Sequence, residues 1–259
     1  MAGSDPQTCA GSCLCGAVAF VAEGPFEEPC ACHCRQCRTW SGHYWASTSV
    51  PLARFRLVRD EGLRWFAVSD RARRGFCGRC GASLFWKPEG EDRVAIALGS
   101  FDDAPALWLV THIFGAEAGD YYAPAGPPPK PDAVAGRLQC GCLCGGVRFD
   151  LPAPAGPVTA CHCGQCRKLS GHYAASFDTE ETGLHFRCRD RLAEYQTPGG
   201  GRRGFCTGCG SSLYFRAADG GFSVEAGAVQ GRTGGRLAAH IFTAGRPRTY
   251  DIDDGLPQD

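Results

Sequence analysis

The chain has 259 residues, a length that suggests one large domain or two small ones. Its 27 Lys and Arg residues balance its 27 Asp and Glu residues, and a formal net charge of zero disfavours nucleic acid as a partner. No apolar stretch reaches the ~20 residues of a membrane-spanning helix, and the amino-terminal residues lack the basic and apolar regions of a secretory signal. We therefore expect a cytoplasmic protein that has no membrane partner.

Cysteine is unusually frequent, with 18 residues in the chain. Disulfide-rich scaffolds are much shorter and are secreted, whereas a reducing compartment keeps thiols free. The sequence therefore predicts that most of these cysteines are metal ligands or catalytic thiols.

The cysteines also mark an internal duplication. Seven of them recur at a constant offset of 129 residues. Without gaps, residues 13–47 match residues 142–176 at 20 of 35 positions, and residues 72–86 match residues 201–215 at 9 of 15. The chain is therefore predicted to consist of two copies of one unit.

A proline-rich stretch lies between the copies, and such proline density is typical of an extended linker. The sequence predicts a first domain over residues 8–125, a linker over 126–135 and a second domain over 136–259. At this size, metal sites would add usefully to the stability of each domain.

Short apolar segments, rich in β-branched and aromatic residues and separated by Gly, Pro and Asp, follow one another along the first copy. The pattern predicts strands, and no apolar period of 3.6 residues extends over a helical length. The predicted strands are Ala17–Ala22, Tyr44–Val50, Leu63–Val68, Val94–Leu98 and Trp108–Phe114. We expect an all-β fold with the cysteines in turns at the strand ends.

Two cysteine pairs in each copy have the spacing of a zinc knuckle. Cys13 and Cys15 form a Cys-x-Cys pair, and Cys77 and Cys80 form a Cys-x-x-Cys pair. Four thiolates favour tetrahedral zinc and leave no open position, which is typical of a structural site. The alternative is a set of free buried thiols or disulfides. The equivalent residues of the second copy are Cys142, Cys144, Cys206 and Cys209.

A second cluster in each copy offers only three thiolates, in one tight Cys-x-Cys-x-x-Cys loop. Zinc with three protein ligands keeps a fourth position for water or substrate, and a thiol would suit that position because coordination deprotonates it. Cys30 is an alternative fourth ligand in the first copy, whereas Thr159 stands at the equivalent position of the second. The clusters are Cys32, Cys34 and Cys37, and Cys161, Cys163 and Cys166.

A His-Tyr pair follows each three-cysteine loop, at His43-Tyr44 and His172-Tyr173. These side chains would line the site as proton carriers or hydrogen-bond donors. Alternatively, each pair begins a strand with packed aromatic rings. The later histidines, His112 and His240, lie in apolar runs and are expected in the core.

Three motifs recur in both copies. They are Cys13-Leu-Cys-Gly-Ala-Val, Cys32-His-Cys-x-x-Cys and Arg73-Arg-Gly-Phe-Cys-Gly-Arg-Cys-Gly, with counterparts that begin at Cys142, Cys161 and Arg202. Through these motifs both copies resemble the glutathione-dependent formaldehyde-activating enzyme family, also called the CENP-V/GFA domain family. The resemblance covers nearly the whole chain outside the linker.

The resemblance implies an all-β, Mss4-like β-tent fold in each domain, with one zinc on the four cysteines and another on the three, up to four zinc ions per chain. It also implies a carbon–sulfur lyase resembling S-(hydroxymethyl)glutathione synthase, which condenses the small carbonyl formaldehyde with the thiol glutathione. Binding the glutathione carboxylates needs cations. The candidates, which would otherwise form a solvated charge run, are Arg73, Arg74, Arg202 and Arg203.

Two other functions stay open, namely an enzyme of this fold with another small carbonyl or thiol substrate, and a non-catalytic tandem zinc module that mediates interactions. Gly99-Ser-Phe-Asp-Asp of the first copy corresponds to Gly227-Ala-Val-Gln-Gly in the second. If the acidic pair supports the site, the second copy is impaired. The first copy in turn lacks the Asp-Gly-Leu-Pro element of the second. These complementary departures suggest that the fused copies imitate a two-fold dimer in which each completes the other's pocket, and the fusion predicts a monomer.

Overall fold

The computed structural model describes residues 7–259, and its two repeats contain the same elements in the same order. The first repeat comprises β1 (Thr8–Ser12), β2 (Ala19–Glu23), β3 (Cys30–Cys32), α1 (Arg35–Ser41), β4 (Trp45–Pro51), β5 (Phe55–Arg59), β6 (Leu63–Ser69), β7 (Ala72–Cys77), β8 (Ser83–Pro88), β9 (Arg93–Ala97) and β10 (Thr111–Ile113). The second comprises β11 (Arg137–Gly141), β12 (Arg148–Pro152), β13 (Pro157–Cys161), α2 (Gly164–Ser170), β14 (Ala174–Asp178), β15 (His185–Cys188), β16 (Leu192–Gln196), β17 (Arg202–Cys206), β18 (Ser212–Arg216), β19 (Phe222–Glu225) and β20 (Arg236–Ile241).

Each repeat builds one three-stranded and one seven-stranded sheet. In the first repeat the strand orders are β1-β2-β5 and β10-β3-β4-β9-β8-β7-β6, and the second repeat reproduces both. The pairings are antiparallel except β3 with β10 and β13 with β20, which are parallel. The all-β, two-repeat prediction is confirmed, and the five predicted strands correspond to β2, β4, β6, β9 and β10.

Aromatic side chains fill the space between the two sheets of the first repeat. The Phe20 ring on β2 meets the rings of Phe85 and Phe101 edge-on, at centroid distances of 5.3 and 5.5 Å. All three side chains are at most 1% exposed. Edge-on pairs of this kind stabilise the core beyond the area that they bury, and they hold the sheets that carry the cysteine pairs.

Each repeat also contains a two-turn helix, which the sequence pattern did not predict. Helices α1 and α2 have seven residues each, too few to show an apolar period. Each begins after a cysteine whose Sγ accepts a backbone hydrogen bond, Cys34 in α1 and Cys163 in α2. Each ends at a glycine in the left-handed region, Gly42 or Gly171. Each helix therefore fixes the position of the last two cysteines of its three-cysteine loop.

The two repeats pack against each other with matching contacts. The Gly99 amide donates to the Gly171 carbonyl at 2.7 Å, and the Gly227 amide donates to the Gly42 carbonyl at 2.7 Å. The Asp102 carboxylate pairs with Lys168 of the other repeat. Asp102, the first acidic residue of Gly99-Ser-Phe-Asp-Asp, therefore contacts the other repeat through an ion pair.

The chain segments that follow β10 and β20 cross to the opposite repeat. The Leu237 amide donates to the Tyr121 carbonyl, and the Leu109 amide donates to the Thr249 carbonyl, both at 2.7 Å. Asp120 accepts a 2.9 Å hydrogen bond from the Thr233 amide. Each repeat therefore receives backbone hydrogen bonds from the other. The predicted limits of the two domains and of the linker stay a prediction. Across residues 7–259 no helix is long and apolar enough to cross a membrane.

Candidate metal centres and their surroundings

The four-cysteine clusters connect the two sheets of each repeat. Cys13 and Cys15 follow β1 of the small sheet, while Cys77 and Cys80 lie at and after the end of β7 in the large sheet. The Cys15 Sγ lies 3.6 Å from that of Cys13 and 3.7 Å from that of Cys77. In the second repeat, the corresponding distances from Cys144 are both 3.6 Å.

These spacings fit a tetrahedral metal ion. Zinc–sulfur bonds of ~2.3 Å place the sulfurs of a tetrahedral site roughly 3.8 Å apart. Gly16 and Gly81 follow the cysteine pairs, with backbone φ values of +74° and +77°. Residues other than glycine rarely adopt such values. Hydrogen bonds from Cys77 and Cys80 also lower the pKa of Cys13 to about 2. The cluster therefore offers the ionised sulfur that a metal needs.

The three-cysteine clusters are equally compact. Cys32 ends β3, Cys34 precedes α1 and Cys37 lies in its first turn, and their three sulfurs lie within 4.8 Å of one another. The second-repeat cluster has the same form, with Cys161 and Cys163 sulfurs 3.6 Å apart. Neither cluster gains a fourth Cys, His, Asp or Glu ligand from residues 7–259. Cys30, the alternative ligand, stays outside the group.

Two buried arginines contact these clusters, and sequence reasoning missed this role. Arg74 Nη2 lies 3.3 Å from the Cys37 sulfur, and Arg203 Nη2 lies 3.1 Å from the Cys166 sulfur. Their exposed fractions are 3% and 8%. Hydrogen bonds from Cys32 and Cys34, with a further contribution from Arg74, hold the pKa of Cys37 well below its ordinary value. In the second cluster, hydrogen bonds from Cys161 and Cys163 raise the pKa of Cys166, and the charge of Arg203 opposes that shift. In both clusters the buried guanidinium itself favours the thiolate form.

The preceding arginine of each pair points outward, because side chains alternate along a strand. Arg73 is exposed and pairs with Glu89, and Arg202 is exposed and pairs with Glu194. Strand alternation was the signal that could have separated these residues from Arg74 and Arg203. The contact of all four arginines with glutathione stays a prediction.

The predicted His-Tyr pairs meet at the boundary between the repeats. The Tyr44 hydroxyl lies 2.9 Å from Nε2 of His172, and the Tyr173 hydroxyl lies 3.3 Å from Nε2 of His43. His43 and His172 are at most 1% exposed, so burial lowers their pKa values well below the ordinary value. The two pairs therefore form one shared network of neutral rings.

The histidine inside each Cys-x-Cys step packs against this network, with ring centroids 4.6 Å apart for His33 and Tyr44 and 4.4 Å apart for His162 and Tyr173. His33 bonds to the Tyr122 hydroxyl and to Nδ1 of His112, both at 2.8 Å. His162 repeats the pattern with Tyr250 at 2.6 Å and His240 at 2.9 Å. Burial is the main cause that lowers the pKa of His33 to about 4 and that of His162 to about 3.

The two later histidines differ in their surroundings. His240 is buried, as expected, and its Nε2 lies 2.9 Å from an Asp254 oxygen. His112 is exposed, which contradicts the expectation of a core position. A glycine, Gly126, stands where Asp254 lies in the second repeat.

A cavity of about 440 Å³ opens where the equivalent segments of the two repeats meet. Tyr44 and Tyr173 line it, whereas the histidines that precede them lie behind its wall. Three carboxylates also line it, and none of its lining residues within the described chain is Lys or Arg. The carboxylates belong to Asp251, Asp253 and Asp254. The cavity is therefore poorly suited to an anionic ligand.

The family model described as glutathione-dependent formaldehyde-activating enzyme matches residues 8–117 and 137–245. No curated protein matches the chain. A solved structure of a Rhodobacter sphaeroides protein is 22% identical, covers 39% of this chain and 99% of its own, and has a TM-score of 0.34. By the family match, the chain belongs to the glutathione-dependent formaldehyde-activating enzyme family, with one family unit in each repeat.

Proposed function

We propose that the chain is a zinc-dependent enzyme of the carbon–sulfur lyase type that joins a small thiol to a small carbonyl compound. Condensation of glutathione with formaldehyde is the specific reaction. The proposal rests on one observation, the three-sulfur clusters to which the described residues contribute no fourth ligand. Zinc would occupy both kinds of cluster, giving four ions per chain.

The metal is assigned from the donor atoms, which are cysteine sulfurs in both kinds of cluster. All-sulfur sets select zinc over the hard cations that prefer oxygen. Bound at the three cysteines, zinc would lower the pKa of a thiol and polarise a carbonyl oxygen. Four cysteines would complete a tetrahedron and exclude substrate, so the chemistry belongs to the three-cysteine clusters.

The residues of this chain would position the reactants. Arg74 and Arg203 each contact one sulfur of a cluster from the buried side, while Cys32 and Cys34 are only half-buried. The exposed Arg73 would meet a glutathione carboxylate by exchanging its partner Glu89. The acidic cavity at the repeat boundary would not take these carboxylates.

The reaction balances without any further reagent. The thiolate sulfur attacks the formaldehyde carbon and forms the carbon–sulfur bond. The carbonyl π electrons move to oxygen, which takes the proton that the thiol released. The product is S-(hydroxymethyl)glutathione, and no oxidant or reductant is consumed.

NMR exchange spectroscopy of glutathione and formaldehyde tests the proposal. Wild-type protein should accelerate exchange above the spontaneous rate, and Cys34→Ser combined with Cys163→Ser should abolish the acceleration. Cys188→Ser is the matched control, because Cys188 lies outside every metal cluster. The absence of acceleration by wild-type protein would reject this activity while leaving the family assignment intact.

We further propose that the chain acts in the cytoplasm as a monomer. The contacts between the repeats support the monomer, because each repeat already receives from the other the backbone contacts that a dimer partner would provide. Sedimentation at micromolar concentration should give a mass of 27.6 kDa.

A further inference from the structure

The two three-cysteine sites differ in one buried charge. In the second repeat, Glu225 Oε1 lies 3.5 Å from Nη1 of Arg203, whose Nη2 contacts the Cys166 sulfur. Glu225 is 2% exposed, and its Oε1 also accepts a 3.4 Å hydrogen bond from Ser212. The carboxylate is therefore built into the wall behind this cluster.

Among the described residues, no carboxylate occupies this position in the first repeat. Ala97, the last residue of β9, occupies the position of Glu225, and the Trp45 side chain lies beside it where the second repeat has Ala174. Nε and Nη1 of Arg74 and Oγ of Ser83, the counterpart of Ser212, are buried without a hydrogen-bond partner in the described chain. Among the described residues, the Cys37 sulfur is therefore the hydrogen-bond acceptor of the Arg74 side chain, whose guanidinium also lies over the Trp40 ring at 4.8 Å.

The charges of the two sites can be counted. Three thiolates, a zinc ion and Arg74 give a net charge of zero in the first repeat. Three thiolates, a zinc ion, Arg203 and Glu225 give a net charge of −1 in the second. The exposed charges beside the first loop, Arg35 and Glu117, cancel, and their counterparts in the second repeat are both glycine. Arg246 and Lys168 lie beside the second loop, and each is paired with a carboxylate, Asp251 and Asp102 respectively. The net difference therefore depends on Glu225.

We propose that Glu225 makes the two sites unequal: the first-repeat site binds an anionic thiolate, whereas the second-repeat site holds its zinc more tightly and disfavours that thiolate. This inference rests on the proposed zinc chemistry and identifies the repeat that performs it. An added negative charge attracts a dication and repels an anion, so the same residue shifts the two affinities in opposite directions. Glu225 acts through Arg203 and would contact neither the zinc ion nor the thiolate, so it is a specificity-determining residue.

Chelator competition measures the first affinity, without any thiol. Variants Cys163→Ser and Cys34→Ser each keep one open site, in the first and the second repeat respectively. At pH 8, above the pKa of about 7 to which burial raises Glu225, the second site should retain zinc roughly tenfold more tightly than the first. Glu225→Gln should remove this advantage. Glu194→Gln, which removes a carboxylate paired with Arg202 and Arg216 rather than with Arg203, is the control.

Thiol titration of the cobalt-substituted variants measures the second affinity. 2-Mercaptoethanol, whose only charge is its thiolate, should perturb the visible cobalt bands at roughly tenfold lower concentration in the first site than in the second. Glu225→Gln should raise the thiol affinity of the second site while lowering its zinc retention. A merely structural loosening would lower both affinities.

Equal zinc retention and equal thiol affinity of the two sites would overturn the inference, as would a Glu225→Gln variant that changes neither. Failure of thiol binding at both sites would overturn the thiolate part. The outcome for the proposed function is separate, because a protein that fails to condense glutathione with formaldehyde can still show the tenfold difference in zinc retention.

Discussion

The Tyr44 hydroxyl lies 2.9 Å from Nε2 of His172, across the boundary between the two repeats. Its counterpart, the Tyr173 hydroxyl, lies 3.3 Å from Nε2 of His43. The two pairs are related by the duplication itself, so the chain reproduces within one molecule the reciprocal contacts of a symmetric dimer. Neither repeat can keep its histidine paired in this way without the other.

Removal of the Tyr44 hydroxyl should therefore weaken the contact between the repeats. Tyr44→Phe leaves His172 Nε2 buried without a partner, which should lower the free energy of unfolding by about 1–3 kcal/mol. Tyr173→Phe should lower it less, because the broken contact is longer. Urea unfolding followed by fluorescence measures both.

Tyr195→Phe is the control for these variants. Tyr195 is half-buried, and its hydroxyl makes no hydrogen bond to another residue between 7 and 259. Loss of the same free energy in Tyr195→Phe as in Tyr44→Phe would show that the contact between the repeats contributes nothing.

The glycines at the repeat boundary should tolerate no side chain. A Cβ at residue 227 would lie 2.2 Å from the Arg38 carbonyl oxygen, a backbone atom of the other repeat. Gly227→Ala should therefore force the repeats apart and lower the free energy of unfolding by about 3 kcal/mol or more. Gly199→Ala, where a Cβ meets nothing within 4 Å, should change it by less than about 0.5 kcal/mol. Thermal unfolding that shows equal stability for the two variants would contradict the packing.

The two kinds of cluster should differ in their importance for stability. Cys80→Ser should remove one of four zinc ions and lower the free energy of unfolding by at least about 5 kcal/mol, because structural zinc provides ~10–16 kcal/mol of apparent binding energy in small peptides. Cys34→Ser should also leave three zinc ions, yet destabilise the chain less, because its cluster lies within one loop and helix rather than joining two sheets.

Elemental analysis and thermal unfolding of the same samples check this difference. Cys188→Ser should keep four zinc ions and nearly the wild-type melting temperature. A larger loss of stability in Cys34→Ser than in Cys80→Ser would reverse the roles given to the clusters.

Local signals predicted a large part of this architecture. Both kinds of cysteine cluster were predicted because their ligands follow fixed spacings, and the strands because β-branched and aromatic segments alternate with turn residues. Helix α1 was missed because two turns are too short to show a period. The partners of Tyr44 and Arg74 were also missed, because a contact with another repeat or a distant strand produces no pattern in the sequence around the residue. Glu225 was missed as well, because a single acidic residue at the end of a strand has no characteristic spacing.

The buried histidines should make the protein sensitive to acid. In the folded chain the pKa of His33 is about 4 and that of His162 about 3, and those of His43 and His172 are well below the ordinary value. An unfolded histidine has a pKa of ~6.5, so below pH ~6.5 the unfolded state binds more protons than the folded state. Stability should be level with respect to these rings above pH 6.5. It should fall as the pH drops from 6.5 towards 4, by up to about 1.4 kcal/mol per pH unit for each ring.

Urea unfolding at pH 8, 7, 6 and 5 measures this slope, with the zinc content determined in each sample so that loss of metal is counted separately. The double variant His33→Gln and His162→Gln should be less stable at every pH, because each change removes two buried hydrogen bonds. Its stability should nevertheless depend less steeply on pH below 6.5, because two of the four rings no longer take up protons on unfolding. An unchanged slope at equal zinc content would show that these histidines are not the acid-sensitive groups.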